Sequence, residues 1–228
     1  MALSPDPSCV KISNVVATCL FNLNIDLDEL AWATHGDYAP ASFAAVQIRI
    51  GQPASTALVF HSGRMVTTGA TSESSALMSV YLFFRMIKTL HPGLVVKQIA
   101  IQNIVSSAAF GKCVHLDHLA KKFSLDAIFD ASLFPGLRLQ LKTPAVKVLV
   151  FSRGRVVITG ARNRKEVALA WATTRLLCEP FLTDDDVSHK SLQISKNSRK
   201  KLKIKEDEVE QECLDALSVL PDVEKALR

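Results

Sequence analysis

The stretch Ala57-Leu58-Val59-Phe60-His61-Ser62-Gly63-Arg64-Met65-Val66-Thr67-Thr68-Gly69-Ala70 returns 91 residues later as Val148-Leu149-Val150-Phe151-Ser152-Arg153-Gly154-Arg155-Val156-Val157-Ile158-Thr159-Gly160-Ala161. Phe43 and Phe134 share that offset, while Ile12-Ser13-Asn14-Val15-Val16 is answered by Ile101-Gln102-Asn103-Ile104-Val105 at 89. One offset with a short insertion reads as a tandem duplication. The division expected is an N-terminal segment 1–9, a first repeat 10–98, a second repeat 99–182 and a charged extension 183–228.

Each repeat carries the same pattern of elements. An apolar strand holding the Asn is followed by a short helix, expected at 26–34 and 115–123. Strands follow at 43–50, 55–60 and 64–68, and again at 136–142, 146–151 and 155–159. Ser62-Gly63-Arg64 and Arg153-Gly154-Arg155 supply the hairpin turns between the last two strands of each set. A long helix closes each unit, at 72–90 and 162–178, the first capped by Thr71 or Ser72. Strands in a run with segregated helices give an α+β fold. The duplication predicts two pseudo-symmetric halves of one curved antiparallel sheet, with the helices on one face.

Strand alternation assigns the two faces. Ala44, Val46, Ile48 and Ile50 point to the helices; Phe43, Ala45, Gln47 and Arg49 point away, with Thr56, Leu58, Phe60, Val66 and Thr68 beside them. An apolar second face is either another core layer or a binding surface. No further helices remain in the repeats to cover it, which favours binding.

Composition narrows the class. The chain has 228 residues, 48% of them hydrophobic, and a net charge of +5. That is too apolar for a disordered tail. No apolar run reaches the roughly 18 residues of a membrane span. Five scattered cysteines suggest neither a disulfide framework nor a zinc ribbon. Residues 1–98 carry 6 basic and 6 acidic residues, whereas 99–182 carry 12 and 5. An anionic partner is therefore expected mainly at the second repeat. From Thr183 onward the balance is 9 basic to 11 acidic, in blocks typical of solvated chain. Val209, Cys213, Leu217 and Leu220 hold helical spacing within it, and Arg199-Lys200-Lys201-Leu202-Lys203 fits a nuclear localisation patch.

The repeated residues resemble the TATA-box-binding protein family over about 170 of the 228 residues. The matching motifs are Phe43-Ala44-Ala45-Val46, Thr56-Ala57-Leu58-Val59-Phe60, Thr68-Gly69-Ala70 and Leu133-Phe134-Pro135-Gly136-Leu137. The resemblance implies a saddle whose concave sheet face lies along the minor groove of A/T-rich promoter DNA. This family is itself the type example of minor-groove wedging. Phe43 and Phe60, and likewise Phe134 and Phe151, match the wedges that enter a base step at either end of the site. Val16, Leu58, Val66, Val105, Leu149 and Val157 match apolar groove contacts. Asn14, Thr68, Asn103 and Thr159 match the hydrogen-bonding groups that select A·T over G·C. Arg49, Arg64, Arg155 and Arg162 match phosphate contacts, whereas Gln140, Ser42, Thr71 and Ala145 stand where the family has cations.

Other positions depart from the family. Its Glu-Pro-Glu-Leu, which docks transcription factor IIB, reads Asp130-Ala131-Ser132-Leu133. Its basic convex helix here shows Leu77, Tyr81 and Phe84 on one stripe and Met78, Leu82 and Met86 on the opposite one. A helix apolar all round is buried or covered by a partner. The expected protein is a nuclear, non-enzymatic initiation factor that binds and kinks A/T-rich DNA. Its partners would be factors of the IIA/IIB type or polymerase-specific factors, with no cofactor, membrane or small-molecule substrate. The alternative is a divergent scaffold of the transcription machinery with weak DNA binding. His115, Asp117 and His118 lack a third ligand cluster, and Asp184-Asp185-Asp186 lacks a companion motif, so neither reads as a metal site.

Overall fold

A computed structural model describes residues 10–184. The basic run 199–203, the apolar spacing 209–220, and Asp185 and Asp186 lie outside the described residues.

The first repeat contains β1 (Lys11–Phe21), α1 (Leu27–Thr34), β2 (Asp37–Ala39), β3 (Phe43–Gly51), β4 (Ala54–Phe60), β5 (Arg64–Ala70) and α2 (Glu73–Leu90). The second contains β6 (Val96–Ala109), β7 (Cys113–Val114), α3 (Leu116–Lys122), β8 (Ala127–Ile128), β9 (Gly136–Gln140), β10 (Lys147–Phe151), β11 (Arg155–Ala161) and α4 (Arg164–Cys178). A 3-10 turn and β12 (Leu182–Thr183) follow. The four helices start and stop within two residues of their expected limits. Side-chain caps set the start of three of them. Ser72 Oγ accepts from Ser75 N–H at 3.1 Å to begin α2. Asn163 Oδ1 accepts from Glu166 N–H at 2.9 Å, and Glu166 returns the bond by accepting from Asn163 Nδ2 at 2.8 Å. Asp26 accepts from the N–H groups of Asp28 and Glu29, both at 3.0 Å, to open α1.

Clustering of the fold gives two compact units: residues 13–104, and residues 105–184 together with 10–12. The division falls inside β6, a few residues beyond the 98/99 limit read from the repeat. In the first unit the antiparallel order is β2-β3-β4-β5-β1, with α2 across β4 and β5 and α1 on β3. In the second the order is β6-β11-β10-β9-β8, with α4 on β11 and α3 on β9. The class is α+β, as expected from the sequence.

The main core lies between sheet and helices. On α2, Ala76, Val80, Phe83 and Ile87 are buried at helical spacing. They face β4 and β5, where Val59 and Met65 are buried, whereas β3, with buried Val46 and Ile48, packs against α1. On α4 the same stripe is Val167, Ala170, Trp171, Thr174 and Cys178. Four short strands were not visible in the sequence. β2, β7, β8 and β12 have two or three residues each, too few to show a period of two; β2 and β8 take their register from the longer β3 and β9, whereas β7 and β12 pair with each other. β9 stops at Gln140 because Leu141 N–H donates to Val146 O at 2.9 Å, closing a tight turn. Asp184 is exposed, as expected of a solvated acid, and Lys112 Nζ reaches its carboxylate at 3.1 Å.

Candidate nucleic-acid interface

Cross-strand register builds the second face row by row. In the first unit Ala45 pairs with Phe60, Gln47 with Leu58 and Arg49 with Thr56; β5 then sets Val66 opposite Leu58 and Thr68 opposite Thr56. The second unit reproduces the rows. Gly136 pairs with Phe151, Arg138 with Leu149 and Gln140 with Lys147, while Val157 faces Leu149 and Thr159 faces Lys147. Apolar residues of these rows cluster. Val16, Ala45, Leu58, Phe60 and Val66 form one group, and Val105, Leu149, Phe151 and Val157, with Phe134 against them, form the other. The expectation of an apolar face holds, but that of a solvent-open one does not. Every member but Phe134 is buried, since bulky Leu and Phe side chains pack over small cross-strand neighbours.

The four phenylalanines form two matching pairs. Phe43 and Phe60 have ring centroids 6.0 Å apart with an interplanar angle of 71°; Phe134 and Phe151 have 6.0 Å and 61°. Both are edge-to-face, the favourable arrangement for aromatic quadrupoles. In each pair one ring is withdrawn, and its partner stands further out: Phe43 is 40% exposed and Phe134 half-buried. Gly136 makes room for the second pair, because a Cβ there would lie 2.7 Å from the Phe134 ring and 3.0 Å from that of Phe151.

Asn14 is oriented by its neighbours. Gly69 N–H donates to Asn14 Oδ1 at 2.8 Å, and Asn14 Nδ2 donates to Thr68 Oγ1 at 2.9 Å. The register of β1 against β5 shifts here: two steps from Val15 to Ala17 answer three from Ala70 to Thr67. The extra residue on β5 is a bulge containing Gly69, whose φ of +101° suits glycine and turns its N–H to Asn14. The Thr68 hydroxyl in turn donates to Asn14 Oδ1 at 3.2 Å, so the amide orientation is fixed and one Asn14 N–H is left to donate. Gly160 repeats the conformation at φ +98°, with Thr159 before it. Asn103 and Thr159 are buried.

Charge differs between the units. Arg49 lies 3.9 Å from Asp37, and the Gln47 carbonyl accepts from its Nε at 3.2 Å and its NH2 at 2.9 Å in the amide orientation that the surroundings favour. Arg64 and Arg155 follow the hairpin glycines at matching positions, and Arg162 is exposed at the start of α4. Two cations of the second face escaped the sequence reading: Arg138, whose guanidinium lies 5.2 Å from the Phe134 ring centroid, and Lys147, in the row of Thr159. Laying the repeats on each other at 91 would have found them, since their counterparts are Gln47 and Thr56.

The residues read as partner contacts separate. Leu77 and Tyr81 point outward, 45% and 51% exposed, as does Met78. Phe84 does not share their exposure: it is half-buried, 6.1 Å from the Phe21 ring. Neither stripe is the core face, which belongs to Phe83 and its i±3 and i±4 neighbours. Leu133 is exposed. Asp130 Oδ1 accepts from the Ser132 hydroxyl at 2.6 Å and from its N–H at 2.9 Å, bonds that hold its carboxyl below the usual range. Among the described residues no group of three or more His, Cys, Asp or Glu side chains is placed to hold a metal. Nor is any described helix long and apolar enough to cross a membrane.

With fold and face in place, comparison with known proteins is direct. The family model described as transcription factor TFIID, or TATA-binding protein, matches residues 9–90 and 98–177. TATA-box-binding protein 1 of Arabidopsis thaliana is 37% identical over 172 residues, covering 74% of this chain and 86% of its own. The TATA-box-binding protein of Emericella nidulans is 36% identical over 174 residues, 76% of this chain and 63% of its own. The solved Methanococcus jannaschii TBP superposes with a TM-score of 0.64 at 32% identity, covering 75% of this chain and 98% of that one. The chain belongs to the TATA-binding protein family.

Proposed function

We propose that this protein is a general transcription initiation factor of the nucleus that binds A/T-rich promoter DNA through the minor groove and kinks it. The observation that carries this reading is the pair of edge-to-face phenylalanine couples, 91 residues apart and each with a 6.0 Å centroid separation. A ring inserted at a base step replaces part of the stacking lost there, against an unstacking cost of about a few kcal/mol. Leu58, Val66, Leu149 and Val157 then meet sugars and base edges, where an unpaired charge would be desolvated. Asn14 supplies a donor to an A·T edge that offers only acceptors, Thr68 a second when its hydroxyl turns from Asn14 Oδ1, and a guanine amino group would meet them as donor against donor. Asn103 and Thr159 do the same in the second repeat. Arg49, Arg64, Arg155 and Arg162 contact phosphates. The protein works by binding and recruitment, with no catalytic step.

Recruitment uses the outward residues of α2, Leu77 and Tyr81 with Phe84 at their margin, and the Asp130–Leu133 turn that precedes the second wedge. Factors of the IIA/IIB type or polymerase-specific factors are the partners. A gel shift comparing a TATA duplex with its G·C-substituted counterpart tests the DNA reading. The wild-type chain should prefer the TATA duplex, and Phe134→Ala/Phe151→Ala should weaken binding about 10-fold or more, by the ~1–3 kcal/mol per stacked base. Equal binding to both duplexes would replace this reading by that of a scaffold with little DNA affinity. The pairing of Arg49 with Asp37, exposed and at 3.9 Å, is the feature that favours the scaffold, since it competes with a phosphate contact.

A further inference from the structure

The second unit holds a cavity of about 600 Å³ at the outer edge of the proposed DNA face. Leu125, Ile128, Phe134 and Leu149 give it apolar walls, and Arg138 and Lys147 bring two cations to it. The first repeat is not built this way. The counterparts of Ile128, Arg138, Gln140 and Lys147 are Asp37, Gln47, Arg49 and Thr56, so these four positions sum to zero in the first unit and to +2 in the second. Arg49 is moreover occupied by Asp37 and Gln47. Among the described residues no carboxylate lies within 4.0 Å of Arg138 or Lys147, and the acid lining the cavity, Asp126, pairs with Lys142 at 3.1 Å. Gln140 is turned back on its own hairpin, its Nε2 donating to Leu141 O at 3.1 Å and Val146 O at 3.2 Å.

The apolar wall is also particular to this unit. Leu30 and Leu119 are 89 apart, but Asp37 and Ile128 are 91 apart, so two extra residues lie between α3 and β8. Leu125, in that insertion, is 97% exposed. Apolar walls with cations among them that no described carboxylate neutralises match the chemistry of a nucleotide backbone, an apolar deoxyribose ring beside a phosphate.

We propose that this cavity is a sugar–phosphate subsite beside the Phe134–Phe151 wedge, in which Arg138 and Lys147 hold phosphate oxygens while Leu125 and Ile128 pack the deoxyribose. The proposal rests on the DNA-binding reading above. It makes the second repeat the stronger grip, and so gives binding a direction along a pseudo-symmetric site.

The test is fluorescence anisotropy of the full chain with a TATA duplex over a series of KCl concentrations. The variant Arg138→Gln/Lys147→Thr installs the first-repeat residues. It should flatten the slope of log K against log salt by about 1.8, and the exposed single change Lys147→Thr by about 0.9, at 0.9 per lost phosphate contact. Hydroxyl-radical footprinting should show Leu125→Ser/Ile128→Asp losing protection of the deoxyriboses flanking one kinked step only. Circular dichroism melts confirm that each variant is folded, and Lys147→Thr alone decides the point if a double variant is not. Unchanged slope and footprint with TATA preference intact would overturn the subsite alone. A wild-type chain without TATA preference overturns the proposed function, and the subsite with it.

Discussion

Asn14 shows how a single amide acquires a reading direction. Its oxygen is taken by a backbone N–H and one amino hydrogen by Thr68, so what it presents is a donor. Asn14→Asp keeps the acceptor for Gly69 and removes the donors. It should leave the fold intact and reduce the preference for A·T over G·C duplexes by about 1–3 kcal/mol, the worth of a good base contact, as read by competition binding. The cysteines make a second prediction. Burial pushes the thiols of Cys19 and Cys178 up to about 12, whereas Cys113 is half-buried. At pH 8 both buried thiols are held in the protonated form. Of these three described cysteines, iodoacetamide followed by peptide mapping should modify Cys113 first and the other two only on unfolding. The sign for stability follows. The unfolded chain ionises these thiols from about pH 9 and the folded chain does not, so stability should fall as pH climbs from 9 towards 12, measured by urea melts.

At the scale of elements, α2 separates a packed side from an outward side on one helix, the latter being the proposed recruiting surface. Phe83 is fully buried, and Phe83→Ala should cost about 3–5 kcal/mol in chemical denaturation. Leu77→Lys and Tyr81→Lys lie on the outward side and should each change stability by no more than about 0.5 kcal/mol. Retained capture of initiation factors by that double variant would remove α2 from the recruiting surface. The boundaries of this helix were legible because Ser72, a 3–4 apolar period and Pro92 all agree. Its orientation was less so. Adjacent phenylalanines at 83 and 84 offer two apolar stripes, and only tertiary packing sends the first into the core and the second sideways onto Phe21.

For the molecule as a whole, duplication made the fold readable and hid part of the interface. Matching the repeats to a shared template drew attention to Gln140, where a cation is missing, and away from Arg138 and Lys147, where two are gained. Burial of the second face was likewise invisible, since alternation tells which side a residue occupies but not how far its neighbours cover it. Asymmetric charge should also appear in single-repeat neutralisation. Arg49→Gln, already compensated by Asp37, should flatten the salt slope of DNA binding less than Lys147→Thr does. Finally, the bulge at Gly69 has a consequence for what kind of binder this protein is. The wedges sit on β3 and β4, while the donor pair is aimed by a backbone kink on β5. On the proposed function, bending and reading are thus mounted on separate supports. Gly69→Ala, strained at φ +101°, should misdirect Asn14 yet leave the phenylalanine couple in place. Such a variant would be an architectural protein at that half-site, deforming any pliable step and blind to its sequence.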